Sequence, residues 1–411
     1  MMKKSIFLID MQSFFASVEK AKIPHAIDKP LVVSGDPSRR SGVILAACPL
    51  AKRLGVENGE RLFDAQQKCP DLMVVAPHMQ DYIDHSLAIT EILEAVTDLV
   101  EPYSIDEQFM DVTHSQKLFG TPLEIAKYVQ GKIFRHLGVR ARIGIGENKV
   151  LAKMACDTFA KKNEEGIFTL TQENIEEVLW PRPINDLFRA GAKMTRHLRV
   201  RGVQTIGDFA AMSPEDIRKR FGIHGQVLWM NARGVDYSPV SPHTMSGQKA
   251  IGNGMTLPRD YTTKRDIKLV LLELCEEVCR RAREGSLLGQ TISVGVTTSY
   301  ELRTGFHRQM TMERPTAITM EVFAYVCKLF DQHWNGLPVR RLHISLSKLS
   351  SDKQIQLSLF DDGNREKHHK LGYVMDTVNK KYGKTSLIRA SSLQEASQVK
   401  ERAAKIGGHY K

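Results

Sequence analysis

The chain has 411 residues and a formal net charge of +11, from 58 Lys and Arg against 47 Asp and Glu. That length exceeds one ordinary core, and a composition 42% hydrophobic and 26% charged excludes a membrane or disordered chain in favour of a soluble globular one. The basic excess suits a polyanionic partner, although a merely basic housekeeping protein would share it.

The chain opens with "MMKKSIFLIDMQSFF", whose apolar run is cut by Asp10 and Gln12 too early for an export signal. "SIFLI" therefore reads as a buried strand ending at Asp10, and "SFFASVEKA" as the helix after it. "KPLVVSGD" and "GVILAAC" read as strands, "CPLAKRLGV" and "ERLFDAQQKCP" as short helices punctuated by Gly and Pro. A strand (72–76), a long helix (79–100), an acidic hairpin (102–113) and a helix (122–138) come next. "ARIGIGE" is a strand, and Asn148 caps a helix from Lys149 to about Lys161. Strands and helices interleave without a strict βαβ rhythm, which favours an α+β sheet.

After Phe168, short helices and Gly turns run to about Tyr237, and 239–248 is a polar linker. A second α+β unit occupies 249–350, with helices over 266–284 and 316–334 between strands. Beyond 351 the chain is polar, with one short apolar insert and a basic end. Nowhere are there about 20 consecutive apolar residues, so no membrane span is expected. The six cysteines include no C-x-x-C pair, which argues against zinc and for reduced thiols in a cytoplasmic protein.

The chemistry centres on "PYSIDEQFMDV" (102–112), where Asp106 and Glu107 interrupt a strand-like run. Neighbouring side chains on a strand face opposite ways, so a shared site requires the backbone to bulge or turn near 105–107. With Asp10 at the end of a distant strand, three carboxylates would meet and repel. Divalent metal removes that penalty, and hard oxygen ligands suit Mg²⁺, two of which clamp an in-line phosphoryl transfer. The bland alternative is a hairpin tip with two solvated acids.

The motifs "LIDMQSFFASVE", "SIDEQFMDV", "ARIGIGENKVLAKMA" and "GVQTIGDFA" together resemble the Y-family (DinB/UmuC-type) translesion DNA polymerases. The resemblance implies an α+β, multidomain right-hand polymerase: palm (1–30 and 77–170), fingers (31–76), helical thumb with a helix-hairpin-helix (171–238), linker (239–248), α+β little finger (249–350) and tail (351–411). It implies template-directed, low-fidelity synthesis past damaged bases, with primed DNA and dNTPs as substrates. Two Mg²⁺ would be bridged by Asp10 and Asp106, one also touching the Met11 carbonyl, with Glu107 holding the ion that activates the primer hydroxyl.

The same resemblance makes Phe15 the steric gate against ribonucleotides, with Phe14 beside it as support or simply core. Lys52 stands where the family carries an Arg toward the triphosphate, and Pro49 where it carries a Tyr, which favours the UmuC-like branch. In "DTFAKKNEEG" one residue more than usual follows "LAK", which makes Lys161 the triphosphate lysine and Lys162 the fallback. Gly191 and Lys193 belong to the hairpin expected to meet DNA phosphate, where Arg189 replaces the first turn glycine. Arg259 and Arg308 are little-finger candidates for DNA backbone contact.

In the tail, Gln356, Leu357, Ser358, Leu359 and Phe360 match the pentapeptide that docks in the bacterial sliding clamp. A strand packing on the little finger is the bland reading of those five residues. A recombinase filament is a further partner the tail could serve, and a monomer is expected. The competing function is a non-catalytic DNA- and clamp-binding protein at stalled forks, which has no use for three crowded acids.

Overall fold

Six consecutive buried residues, Ile6–Met11, form β1 and occupy the middle of a five-stranded sheet. They are buried because neighbours flank the strand on both edges and helices cover it. The structure is a computed structural model that describes residues 3–35, 42–244, 247–299, 301–302, 304–353 and 364–406, with the backbone of 409–410. Two compact units divide the chain, Met1–Met245 with Tyr410–Lys411, and Ser246–His409.

In the first unit, α1 (Phe14–Lys22) leaves β1 through Ser13, which adopts the left-handed conformation. A small sheet of β2 (Leu31–Ser34), β3 (Ile44–Ala47) and β4 (Met73–Val75), ordered β3-β2-β4, carries the short helices α2 (Pro49–Arg53) and α3 (Leu62–Lys68). Helix α4 (Met79–Glu94) stops short of the 100 expected, because Val100 already belongs to a strand. The Thr97 hydroxyl donates to the Asp111 carbonyl at 2.7 Å and holds the chain at that exit.

The hairpin of β5 (Val100–Pro102) and β6 (Glu107–Asp111) pairs antiparallel with β1. Helices α5 (Gln116–Phe119) and α6 (Pro122–Leu137) follow, the latter opened by a Thr121–Glu124 capping box. Next comes β7 (Ala141–Gly146), antiparallel to β1 on its other edge. Asn148 then caps α7 (Lys149–Met154), its side chain accepting from the Leu151 N–H. The helix continues as a π-helix, Ala155–Ala160, before β8 (Ile167–Leu170) closes the sheet in parallel with β7. The alternation "GIG" serves this packing: a Cβ on Gly144 would lie 2.1 Å from the Ala152 carbonyl oxygen, and one on Gly146 2.6 Å from the Ala152 nitrogen. Only glycine lets the helix lie that close to the strand.

The rest of this unit is helical: α8 (Ile175–Val178), α9 (Ala192–Arg199), α10 (Ile206–Ala210) and α11 (Pro214–Ala232). They share a core around Leu179, Leu198, Ile206, Phe209 and Leu228.

In the second unit, β9 (Ala250–Tyr261), α12 (Lys264–Glu284), β10 (Leu287–Thr298), β11 (Gly305–Thr316), α13 (Thr319–His333) and β12 (Val339–Ser351) build an antiparallel sheet ordered β11-β10-β12-β9. Cys275 and Cys279 lie on α12 and are core residues. Residues 364–406, read from sequence only as a polar tail, contain α14 (Asn364–Tyr382) and α15 (Val399–Ala403). The buried Arg283 of α12 donates to both Asp376 carboxylate oxygens at 2.7 and 3.0 Å, and to the Ala317 carbonyl at 2.7 Å. Buried Glu273 accepts from the Ser397 hydroxyl and the Gln398 N–H. Polar residues dock this tail, which is why apolar patterning missed it.

Candidate active site

Asp10 is the penultimate residue of β1 and Glu107 begins β6, and the two are direct partners across the antiparallel ladder. Side chains so placed share a face. Among the described residues, one acidic trio brings its carboxylate oxygens within 4.8 Å of one another: Asp10, Glu107 and Asp157. Asp157, carried in by the π-helix, was not anticipated from sequence; its signal is the spacing of four from Lys153 and from Lys161.

Both lysines bind this trio. Lys161 Nζ lies 2.6 Å from Asp10 Oδ2, 2.7 Å from Asp157 Oδ1 and 3.8 Å from Glu107 Oε1. Lys153 Nζ lies 2.6 Å from Glu107 Oε1 and 3.0 Å from Asp157 Oδ2. Burial and then the hydrogen bond with Glu107 push the Asp10 carboxyl up to about 8, against a partial offset from Lys161. Burial raises Glu107 as well, but the bond from Asp10 and the Lys153 ammonium outweigh it and leave Glu107 below its ordinary value. Burial and Glu107 thus favour the protonated form of Asp10, while Asp10 and Lys153 favour the ionised form of Glu107. Burial pulls Lys161 down, yet Asp10 and Asp157 hold it above its ordinary value.

A π-helix admits one extra residue per turn, which is the physical counterpart of the lengthened spacing after "LAK". The extra residue brings Lys161 back over Asp10.

Asp106 resolves the alternation problem differently from a bulge within the strand. Residues 104–106 form a bend, and β6 starts only at Glu107. The Asp106 carbonyl accepts from the Met11 N–H at 2.9 Å, and its carboxylate accepts from the Ser104 hydroxyl at 2.6 Å. Asp106 thus faces the same cleft as Asp10 and Glu107 but stands outside the close trio.

That cleft measures about 450 Å³ and is lined by Asp10, Met11, Phe15, Lys52, Asp106 and Glu107, together with Phe14, Pro49, Asn58, Arg142 and Lys161. It is of a size for a small ligand. Phe15 stacks on Tyr82 at 4.2 Å between centroids and 12° between planes. The Tyr82 hydroxyl donates to buried Glu19 at 2.6 Å, and Glu19 also meets His78 Nδ1 at 3.0 Å. Phe14 is 3% exposed and belongs largely to the core. The sequence pointed to neither Tyr82 nor Glu19.

In the helical part, Arg189 takes φ 70°, the left-handed turn a glycine would favour, and Gly191 caps α9 with an extended backbone. Lys193 is exposed in the first turn of α9. In the second unit, Arg308 pairs in register with core-facing Val294, so it lies on the side of the sheet that the helices cover, at its edge. Arg259 sits over the Tyr261 ring at 5.1 Å and meets Glu395 at 3.6 Å. The open face instead presents His307, Gln309, Arg341 and His343. Gln356, Leu357, Ser358, Leu359 and Phe360 lie outside the described residues.

Residues 9–157 match the impB/mucB/samB family and 248–359 its C-terminal domain. Over the full length of both chains, the protein is 59% identical to "DNA polymerase IV 2" of Halalkalibacterium halodurans and 58% identical to "DNA polymerase IV 2" of Bacillus subtilis. It is 39% identical to the "Putative UV-damage repair protein UvrX" of Bacillus subtilis, over 99% of this chain and 98% of that one. A Y-family DNA polymerase chimera has a similar fold, with a TM-score of 0.72 and 22% identity, covering 84% of this chain and 98% of the other.

The fold, the acidic cleft and the relatives named DNA polymerase IV together define a DNA-directed DNA polymerase, a nucleotidyltransferase. The chain belongs to the impB/mucB/samB family, the Y-family of translesion DNA polymerases. The relatives bear the name DNA polymerase IV, so the UmuC-like branch suggested by Pro49 and Lys52 stays an expectation. Among the described residues no helix is long and apolar enough to cross a membrane.

Proposed function

We propose that this polymerase transfers nucleotides at the Asp10–Glu107 pair, with two Mg²⁺ held by Asp10, Asp106, Glu107 and the Met11 carbonyl. The observation that carries the proposal is the direct register of Asp10 and Glu107 beside Asp157, in a cleft also lined by Phe15 and Lys161. Hard carboxylate oxygens with a bend at Asp106 fit such ions in donor chemistry. When bound, the metal supplies charge neutralisation for phosphoryl transfer.

The chain's own groups do the rest. Phe15, braced by Tyr82, limits room beside the sugar and disfavours a 2′-hydroxyl. Lys161 and Lys52 meet the triphosphate as point charges. Lys161, which pairs with Asp10 here, would be free for phosphate once cations held by the carboxylates took over that charge. Gly191 and Lys193 meet DNA phosphate in the first unit. On the second unit, His307, Gln309, Arg341 and His343 of the open face are better placed than Arg259 and Arg308 for backbone contact. Gln356–Phe360 docks the bacterial sliding clamp, and a recombinase filament is a further partner for the tail.

Primer extension with purified protein, Mg²⁺ and dNTPs, over an intact template and over an abasic site, tests this reading. Glu107→Ala should abolish both products while DNA binding survives; unchanged extension would overturn the site.

A further inference from the structure

Arg142 has no role in the chemistry assigned so far, yet it is the cross-strand partner of Asp10 on the opposite side from Glu107. In antiparallel register its side chain shares the Asp10 face, and it lines the cleft. Its Nη2 donates to Gln12 Oε1 at 3.1 Å and its Nη1 to the Asn163 carbonyl at 2.8 Å. These anchors lie in the two segments that bracket the cleft, the turn after β1 and the stretch just beyond Lys161. The Nε atom is buried without a hydrogen-bond partner. A Cβ on Gly166 would come within 2.7 Å of Nη1 and 2.9 Å of Cδ, so glycine there makes room for the guanidinium.

Charge gives this placement a purpose. The cleft is lined by three acids, Asp10, Asp106 and Glu107, and by three cations, Lys52, Arg142 and Lys161. Lys161 is paired with Asp10 and Asp157, whereas the Arg142 guanidinium donates to the neutral acceptors of Gln12 and Asn163. A guanidinium has five donors, and two are accounted for by Gln12 and Asn163. Guanidinium donors match phosphate oxygens better than an ammonium does.

We propose that Arg142 is a nucleotide-binding residue, a third cation that takes the triphosphate of the incoming dNTP while its bonds to Gln12 and Asn163 hold it in place. The inference rests on reading the cleft as the nucleotide site.

Binding of dNTP, and of the matching dNDP, to full-length protein on a dideoxy-terminated primer–template separates affinity from chemistry. Arg142→Gln should weaken dNTP binding about tenfold or more, as loss of a charge-assisted bond implies, and should weaken dNDP less. Arg142→Lys should recover part of the loss, and Gln12→Ala, which removes one anchor only, should weaken dNTP binding to a smaller degree. Equal loss for dNTP and dNDP would make Arg142 a structural brace and overturn the proposal. So would unchanged dNTP binding in Arg142→Lys and Arg142→Gln while Lys161→Ala weakens it. If Lys161→Ala and Phe15→Ala also leave nucleotide binding unchanged, the cleft itself is misread.

Discussion

Asp10 and Glu107 face each other from adjacent antiparallel strands, and their surroundings push Asp10 up and Glu107 down in pKa. The Asp10 carboxyl moves from 3.8 to about 8 on folding. A carboxyl raised in this way stabilises the fold below its unfolded value, and that contribution is lost as pH rises through the folded one. In chelator, the wild-type Tm should therefore fall relative to Asp10→Asn between about pH 4 and pH 8. Added Mg²⁺ should reverse the loss and release a proton near neutral pH, measurable by calorimetry in two buffers of different ionisation heat. Parallel Tm curves for the two proteins would remove the assignment.

Phe15 owes its position to a neighbour. Phe15→Ala should admit ribonucleotides, seen as a rise in rNTP relative to dNTP incorporation. Tyr82→Ala removes the stacked ring and should relax discrimination in the same direction, by less. Tyr82→Phe keeps the stack and should retain most of it, at the cost of one hydrogen bond to Glu19.

The π-helix separates two adjacent lysines. Lys161→Ala should raise the KM for dNTP about tenfold, the size of one lost charge-assisted contact. Lys162→Ala should stay near wild type. Equal effects would mean that the extra residue does not select between them.

Docking of the tail rests on Arg283 and Asp376. Asp376→Ala leaves a buried guanidinium with the Ala317 carbonyl alone, and should cost about 3 kcal/mol in urea unfolding of the full chain. Protease should then cut within 364–406 at lower enzyme concentration.

Deleting Gln356–Phe360 should abolish capture of the sliding clamp on a column while leaving distributive primer extension intact. Capture that persists would place the contact elsewhere.

Much of the site was legible because its signals are local. Asp10 at the end of an apolar run, "SIDE" before β6 and Asn148 before α7 each declare themselves by neighbours in sequence. The glycines of "ARIGIG" announced a strand, though not that α7 and the π-helix lie against it. Tyr82, Glu19 and Arg142 carried no such signal, since each gains its meaning from a partner tens of residues away, and Asp157 offered only its spacing from Lys153 and Lys161. Arg308 was expected to contact the DNA backbone, and only its register with Val294 showed which face of the sheet it occupies.

By itself the sequence determined most of the strands and helices up to residue 351, where the acids sit, and the family, because propensity, capping and motif spacing act over a few residues. Only the tertiary structure decided which carboxylates meet, which lysine neutralises them and that the tail is docked. Those outcomes depend on strand register and a π-turn, where a shift of one residue moves a side chain to another face.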